Sequence, residues 1–449
     1  MLARVLAASV VGIEGRLICV EVDLSPGLPA VTIVGLPDTS VQESKERVRS
    51  AIRNSGFDYP LRRVTVNLAP ANVRKAGVTF DLAVAVGILA ASGQVPVERL
   101  DGLVLCGELG LDGSLRPIPG VLAVTCDLAA QGHHEVLVPV DNAREAALVP
   151  GASVRAATHL KEVVAHLRST GFDEGELRLW PPMQRDSATG QSDAPDLTQV
   201  RGQRTARRAL EIAAAGGHNL LFVGPPGSGK TMLAARLPSI LPPLETREAM
   251  EVTRIYSVAG LLAPERPWID TRPFRSPHHT ASDVALVGGG RIPRPGEVTL
   301  AHHGVLFLDE LPEFRRAALE ALRQPLTEGR VSVSEVPESS DEVRRRVVQA
   351  RARQAQRLAG LRPTEASTNA RLGPDLVRRA CPLSLEASRY LVRAAGVAGL
   401  SARAIDRVLK VARTIADLAG DGALTKSHLA EAISYRHLDV EARAGRLAA

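Results

Sequence analysis

Cysteine is scarce in this chain. Its 449 residues include four, Cys19, Cys106, Cys126 and Cys381, and no two of them form a C-x-x-C pair. That excludes a disulfide framework or a zinc clip as the organiser of the fold. Aromatic residues amount to 3%, so the cores are aliphatic and there are few of the stacking platforms that single-strand binders use. Lysine is rare as well, with six residues against 49 arginines. No run of 18 apolar residues occurs, so no membrane-spanning helix is expected. The opening MLARVLAASVVGIEG has a short apolar stretch that passes directly into strand-like sequence. It reads as a first strand rather than a signal peptide, and the expected location is cytoplasmic.

Hydrophobic residues make up 45% of the chain and charged residues 23%, enough apolar material to build cores. The length calls for two or three domains. A net charge of +6 permits an anionic partner without demanding one. The arginine bias, alongside much Ala, Val and Gly, is equally what a GC-rich coding sequence produces.

Residues 1–170 alternate short strands and helices. Strands are expected at 17–24, 30–34, 64–68 and 135–138, helices at 38–55, 80–91, 121–131 and 160–167, and a hairpin over 103–118 turning at Asp112-Gly113. Residues 171–196 (GFDEGELRLWPPMQRDSATGQSDAPD) are polar and rich in Pro, Gly, Ser and Asp, and read as a linker. A second unit runs over 197–337, and a third, helical unit over 338–449.

Residues 224–231 read GPPGSGKT and fit the phosphate-loop pattern G-x-x-x-x-G-K-[ST]. An apolar run at 220–223 leads in as an expected buried strand, and a helix over 231–237 leads out, which is the context the motif needs. Gly224, Gly227 and Gly229, with Pro225, Pro226 and Ser228 between them, let backbone N–H groups close around phosphate oxygens. Lys230 supplies a point charge to the terminal phosphates, and the Thr231 hydroxyl is a candidate Mg²⁺ ligand. Residues 305–310 read VLFLDE, an apolar strand ending in two carboxylates. Asp309 suits a Mg²⁺ ligand, and Glu310 suits a base that polarises the attacking water. Upstream, Val200 to Gln203 read VRGQ and open a helix over 204–215; such a segment can wall an adenine pocket.

Three His-His pairs occur, His133-His134, His278-His279 and His302-His303. Neighbouring side chains on a strand point to opposite faces, so one pair makes a poor chelate, although two of the pairs flank the VLFLDE strand. Arg344, Arg345, Arg346, Arg351, Arg353 and Arg357 form a basic helical stretch that suits either a solvated face or a DNA contact.

At this point the chain resembles a known family. PFRSPHHTASDVALVGGG and PGEVTLAHHGVLFLDELPEF are similar to the magnesium-chelatase-type branch of AAA+ ATPases, and within it to the YifB/ComM group. VRGQRTARRALEIAAAGGHNLLFVGPPGSGKT, GLSARAIDRVLKVARTIADL and VDLSPGLPAVTIVGLPDTSVQESKERVRSAI agree along nearly the whole chain. The resemblance implies an α/β protein. Its parts would be a Lon-protease-like (ribosomal S5 domain 2-like) N-terminal domain, a P-loop AAA+ module and a C-terminal helical lid. It further implies ATP and Mg²⁺ as cofactors, a hexameric ring of self-associating subunits, and DNA as partner, in helicase-type branch migration during natural transformation. It does not imply a membrane partner. Arg403 in LSAR matches the lid arginine that reaches the terminal phosphate. In the Lon-like part, KAGVTFD (from Lys75) puts Thr79 where the protease serine would fall, and the lysine position falls on Val121 or Leu122. Without that amine no proteolysis is expected.

One stretch departs from the family pattern. After Ser334 the family continues with a second hairpin strand, a sensor-1 strand and an arginine-finger segment, whereas this chain proceeds directly to EVPESSDEVRRRV. Roughly 70 residues of the pattern are absent. The resemblance places the sensor-1 strand between the strands that carry Lys230 and Asp309. Without it, either a gap remains or the flanking strands close up across the ~4.8 Å spacing of a sheet. Either outcome is expected to shift Asp309 against Lys230 by several ångströms, when a 1 Å error can cost ~100-fold in rate. The expectation is therefore a DNA-remodelling ATPase that binds ATP but hydrolyses it poorly or not at all. The rivals are a chelatase-type motor subunit and a non-hydrolysing, ATP-binding assembly subunit.

Overall fold

The computed structural model of the protein describes residues 1–70, 77–169, 175–183, 195–200, 202–225, 227–289, 294–314, 338–359, 368–398 and 400–436. Lys75, Pro226, most of the 171–196 linker, and Ser334 with the rest of 315–337 lie outside the described residues. The fold is mixed α/β with a helical C-terminal region. Contacts divide the chain into two compact units. The first comprises Met1–Thr189, Glu245–Asp270 and Val284–His302; the second comprises Gly190–Leu244, Thr271–Asp283 and His303–Ala449.

The first unit is built on a seven-stranded sheet with the order β3-β4-β2-β1-β5-β8-β9. Its strands are β1 (Leu2–Val11), β2 (Glu14–Ser25), β3 (Ala30–Val34), β4 (Arg63–Ala69), β5 (Leu103–Leu105), β8 (Glu135–Pro139) and β9 (Ser153–Ala157). β1 with β2 and β2 with β4 are antiparallel; the other four pairings are parallel. Alternation sorts the side chains to two faces. Val5, Ala7, Val20 and Val22 pack with α1 (Thr39–Asn54) and α2 (Asp81–Ala91), while Ala8, Val104, Val136 and Val138 pack with α3 (Val121–Ala130) and α4 (Val140–Ala146). The expected hairpin is present as β6 (Glu108–Leu109) and β7 (Leu115–Arg116), ahead of α5 (Leu160–Arg168).

Every residue of α2 is buried, and so is its one carboxylate. Burial pushes Asp81 up to about 6, against the pull of Arg47. The Arg47 guanidinium donates to both carboxylate oxygens, at 2.9 and 3.2 Å.

The first unit also holds α9 (Thr246–Ala259), which follows the phosphate loop in sequence. A reciprocal cap between Glu245 and Glu248 starts this helix, and Gly260 in the left-handed region ends it. α9 rests on the start of α3. Gly120 N donates to Ser257 O (2.9 Å), Leu122 N donates to Ser257 Oγ (3.3 Å), and Ser257 Oγ donates to Glu145 Oε2 (2.6 Å). Arg254 pairs with Asp127 and donates to Ile13 O. Gly120 has φ +84°, and a Cβ there would lie 2.6 Å from Val10 Cγ2, so glycine alone fits this turn. Val121 and Leu122, at the protease-lysine position, are fully buried; Leu122 packs with Leu148, Met250 and Trp268.

The second unit begins with α6 (Arg204–Gly216), α7 (Lys230–Ala234) and α8 (Leu237–Ile240). After the short α10 (Asp283–Val287) and α11 (Glu297–Leu300), which lie largely or wholly in the first unit, come α12 (Ser340–Ala359), α13 (Pro374–Ala380), α14 (Leu385–Ala398), α15 (Ala402–Ala419) and α16 (Lys426–Ser434). Two corrections to the sequence reading fall here. The stretch 220–223 is not a buried strand: only Leu221 has bridge geometry, and Val223 is 63% exposed. The VLFLDE strand is reduced to β11 (Val305–Leu306), half-buried and paired in parallel with β10 (Phe274–Arg275). Among the described residues no ladder other than the pairing with β10 extends either segment.

The basic stretch on α12 is spent internally. Arg344 donates to Ser239 O, Arg351 to Ala214 O and Arg353 to Asp417 O. Arg346 pairs with Glu211 and Glu338, and Arg357 with Asp417. These groups stitch α12 to the C-terminal carbonyls of α6 and to α15.

Replacing Arg47 by Ala leaves Asp81 buried without its counter-charge. Urea unfolding of the full chain should lose about 3–5 kcal/mol in the transition of the first unit. Replacing both partners by apolar residues should recover most of that loss. In the second unit, His218 Nε2 meets Thr414 Oγ1 at 2.9 Å. Burial, then Lys410 and Arg351, hold this imidazole down at about 4. The folded protein therefore binds fewer protons than the unfolded chain between that value and the ordinary 6.5. The stability it contributes is complete above 6.5 and is lost as pH falls towards 4. Melting temperatures of His218→Gln, which keeps a polar partner for Thr414 but cannot gain a proton, should fall less across that window than those of the parent.

Candidate functional site

The site is built where the 224–231 loop turns into α7. Gly227 and Gly229 have φ of +77° and +80°, a region that only glycine enters without strain, so the loop can curl its amides inward. Among the described residues, the N–H groups of Gly229, Lys230 and Thr231 have no acceptor. Lys230 Nζ is folded back onto the loop and donates to Gly224 O and Pro225 O, each at 3.0 Å. A phosphate group offers this ammonium better acceptors than two neutral carbonyls do, because the attraction of opposite charges is added to the hydrogen bonds.

The sequence reading gave Val200 and Gln203 to a segment that can wall an adenine pocket; the two residues have different surroundings. Val200 is fully buried with Leu197 and Leu210. Gln203 takes a left-handed conformation (φ 61°) and its Nε2 donates to Ser228 O at 3.1 Å. A non-glycine residue in that region costs on the order of 1–3 kcal/mol and persists where its surroundings impose it. Glu310 is another such residue, with φ 51°. Two of the four described non-glycine residues with positive φ thus lie at this site.

Thr231 and Asp309 meet directly: Thr231 Oγ1 donates to Asp309 Oδ2 at 2.6 Å. The phosphate loop and the Asp309 turn are thus in direct contact. A hydroxyl and a carboxylate oxygen this close fit one Mg²⁺, whose ligands stand at 2.0–2.1 Å and hence about 2.9 Å apart at adjacent octahedral positions. The donor set is all oxygen, as a hard cation requires.

Glu310 lies at the exposed end of the same turn, with its side chain 65% exposed. Its Oε2 is 3.4 Å from Nδ1 of His279. His279 in turn packs on His278, with ring centroids 4.1 Å apart. The sequence reading missed this contact. Alternation argued that one His-His pair cannot chelate, and it said nothing about a carboxylate thirty-one positions downstream in the sequence. Arg403 is exposed in the first turn of α15. Among the described residues no hydrogen bond or ion pair joins it to Lys230, Thr231, Asp309 or Glu310. Pro226, the remaining loop residue, lies outside the described residues.

Three family descriptions match the chain. "Magnesium chelatase, subunit ChlI" covers residues 196–348, "Subunit ChlI of Mg-chelatase" covers 20–142, and "Magnesium chelatase, subunit ChlI C-terminal" covers 337–436. The chain is 40% identical to the YifB protein of Salmonella typhimurium, over 98% of its own length and 97% of the relative's. It is also 40% identical to the competence protein ComM of Haemophilus influenzae, over 97% of each chain. A weaker likeness, 26% identity over 41% of the chain and 23% of the relative, links it to the Lon protease of Rhizobium meliloti. The alignment with the Salmonella protein runs over 509 positions, more than the 449 residues present here. Dozens of the relative's positions therefore have no counterpart in this chain.

Titration with a fluorescent ATP analogue in the presence of Mg²⁺ tests the loop. Lys230→Ala should weaken binding by about 10- to 100-fold, the effect of one hydrogen bond to a charged group. Gln203→Ala, which removes one neutral bond to Ser228 O, should weaken it by about tenfold or less.

Proposed function

The chain belongs to the YifB/ComM family of magnesium-chelatase-type AAA+ proteins, and we propose that it is a nucleotide-binding ring subunit that holds Mg·ATP between the 224–231 loop and Asp309. The observation that carries this reading is the convergence of Gln203, Lys230, Thr231 and Asp309 on one loop. In it, the loop amides and Lys230 take the phosphates, Thr231 and Asp309 take the cation, and the segment that carries Val200 and Gln203 walls the adenine pocket. Glu310 is the group that would polarise water. DNA is the proposed partner, six copies the proposed ring, and the cytoplasm the proposed location, with domains as bounded from the sequence.

Hydrolysis is proposed to be slow. Among the described residues no hydrogen bond or ion pair joins Arg403 to the loop and the ladder beside Asp309 is two residues long, and the sequence lacks the family's sensor-1 and arginine-finger segments. In related NTPases a trans arginine alone is worth about 10³–10⁵ in kcat. These observations also favour a second reading, an assembly subunit that binds ATP and joins rings without turning over.

The test is a pair of measurements on the full chain with forked DNA present. Mg·ATP binding at micromolar ligand together with turnover at least ~10³-fold below that of a full-length relative is the expected outcome. Turnover within tenfold of that relative would sink the slow-hydrolysis proposal. Absence of any nucleotide binding would sink the site itself. Hydrolysis appearing only when the chain is mixed with an intact relative would favour the motor over the silent subunit.

A further inference from the structure

The arginine-rich helix α12 is the obvious place to look for a nucleic-acid contact, but all six of its arginines are committed to carbonyls and carboxylates within the fold. A different cluster of arginines has no carboxylate partner among the described residues. In the first unit, the turn after α1 reads GFDYPLRR from Gly56 to Arg63. It carries Phe57 and Tyr59, one of the chain's seven phenylalanines and one of its four tyrosines. Both rings are half-buried and rooted in the core beneath the sheet. Arg49 and Arg53, one turn apart on α1, each place a guanidinium carbon 5.9 Å from the centre of the Tyr59 ring. Arg168, at the end of α5, lies 5.3 Å from the centre of the Phe57 ring.

This surface is uncompensated. Arg49, Arg53, Arg62, Arg63 and Arg168 are all exposed, and among the described residues none of them pairs with a carboxylate. Arg168 donates to a backbone carbonyl, Gln94 O, at 2.7 Å. The Gln94 side-chain amide brackets Asp58 through its N–H and C=O and fixes the turn. Within residues 43–63 the acidic side chains are Glu43, Glu46, which acts on Tyr59, and Asp58. Arg49, Arg53, Arg62 and Arg63, with no ion-pair partner among the described residues, leave a positive surface with two aromatic rings set in it.

We infer that this surface binds single-stranded nucleic acid, with the arginines on successive phosphates and the Tyr59 and Phe57 rings, or the guanidinium planes that lie over them, receiving bases. A folded acidic protein or a simple anion needs the charge but not the rings. A duplex keeps its bases stacked away from them. A strand with unstacked bases uses both. The inference adds a contact surface to the DNA part of the proposed function and does not depend on ATP being bound or turned over.

The test is fluorescence anisotropy of a labelled 30-nucleotide oligo-dT with the full chain, without nucleotide, over a salt series. The expected result is salt-dependent binding whose log–log slope flattens by about 0.7 for each arginine replaced among Arg49, Arg53, Arg62 and Arg63 by Gln. Tyr59→Leu, which keeps an apolar group over the core, should weaken binding by about 5- to 100-fold and leave the slope unchanged. Three results would each overturn the inference. One is no binding at low salt. Another is binding that the arginine variants leave unaltered. The third is competition by polyglutamate as strong as by unlabelled oligo-dT, with no effect of Tyr59→Leu. Loss of ATP-analogue binding in the separate titration would refute the nucleotide site without touching any of these readings.

Discussion

A β-strand carries a row of N–H and C=O groups that must be paired, and two rows of side chains that must be covered. In the first unit both demands are met. Seven strands share one ladder, α1 and α2 cover one face, and α3 and α4 cover the other. In the second unit, among the described residues, the ladder is one parallel pair of two residues each. The phosphate loop, the Asp309 turn and the exposure of Val223 all follow from how little sheet stands behind them. What holds that unit together is instead helix packing around Leu210, Val347, Val408 and Ile415, joined by arginines that reach across to helix ends.

The site accordingly has an uneven character. Its binding half depends on local features: glycines that permit the turn, a lysine within reach of the loop, and a glutamine held in a left-handed conformation. Local features survive the loss of a neighbouring strand. Its catalytic half depends on groups brought from far apart in the sequence, and these need a rigid frame. Glu310 is exposed and leans on His279, and among the described residues no hydrogen bond or ion pair joins Arg403 to the loop or to Asp309 and Glu310. Binding and turnover are therefore separable in this chain for a mechanical reason, since only the second requires the sheet to hold distant residues in register.

The legible parts of the sequence were those in which the signal and its structural cause lie close together. The glycine loop, the hairpin turning at Gly113 and the buried α2 were all readable, because periodicity and turn chemistry act over a few residues. The pairing of Thr231 with Asp309 was readable through the family pattern. Val223 and the 305–308 run were misread because an apolar run implies a covered strand only if a neighbour exists to cover it. The basic helix was misread as a surface because charge in a sequence does not show which carbonyl a guanidinium will find. Neither the His279–Glu310 contact nor the seat of Ser257 on α3 has a local signal. Each joins residues whose separation in the chain carries no information about their meeting.

The seat of Ser257 bears on how the protein is made. The Gly120 and Leu122 amides and the Glu145 carboxylate complete their bonding only with Ser257, 112 residues beyond Glu145. During synthesis at about 5–20 residues per second, those partners wait on the order of 6–20 s for it to emerge. The N-terminal sheet can form early, but its last helix-to-helix contact arrives only after the phosphate loop has been translated. The two units are thus interleaved in time, and a nascent chain halted before Ser257 would carry a sheet-built unit with an open polar seam along α3.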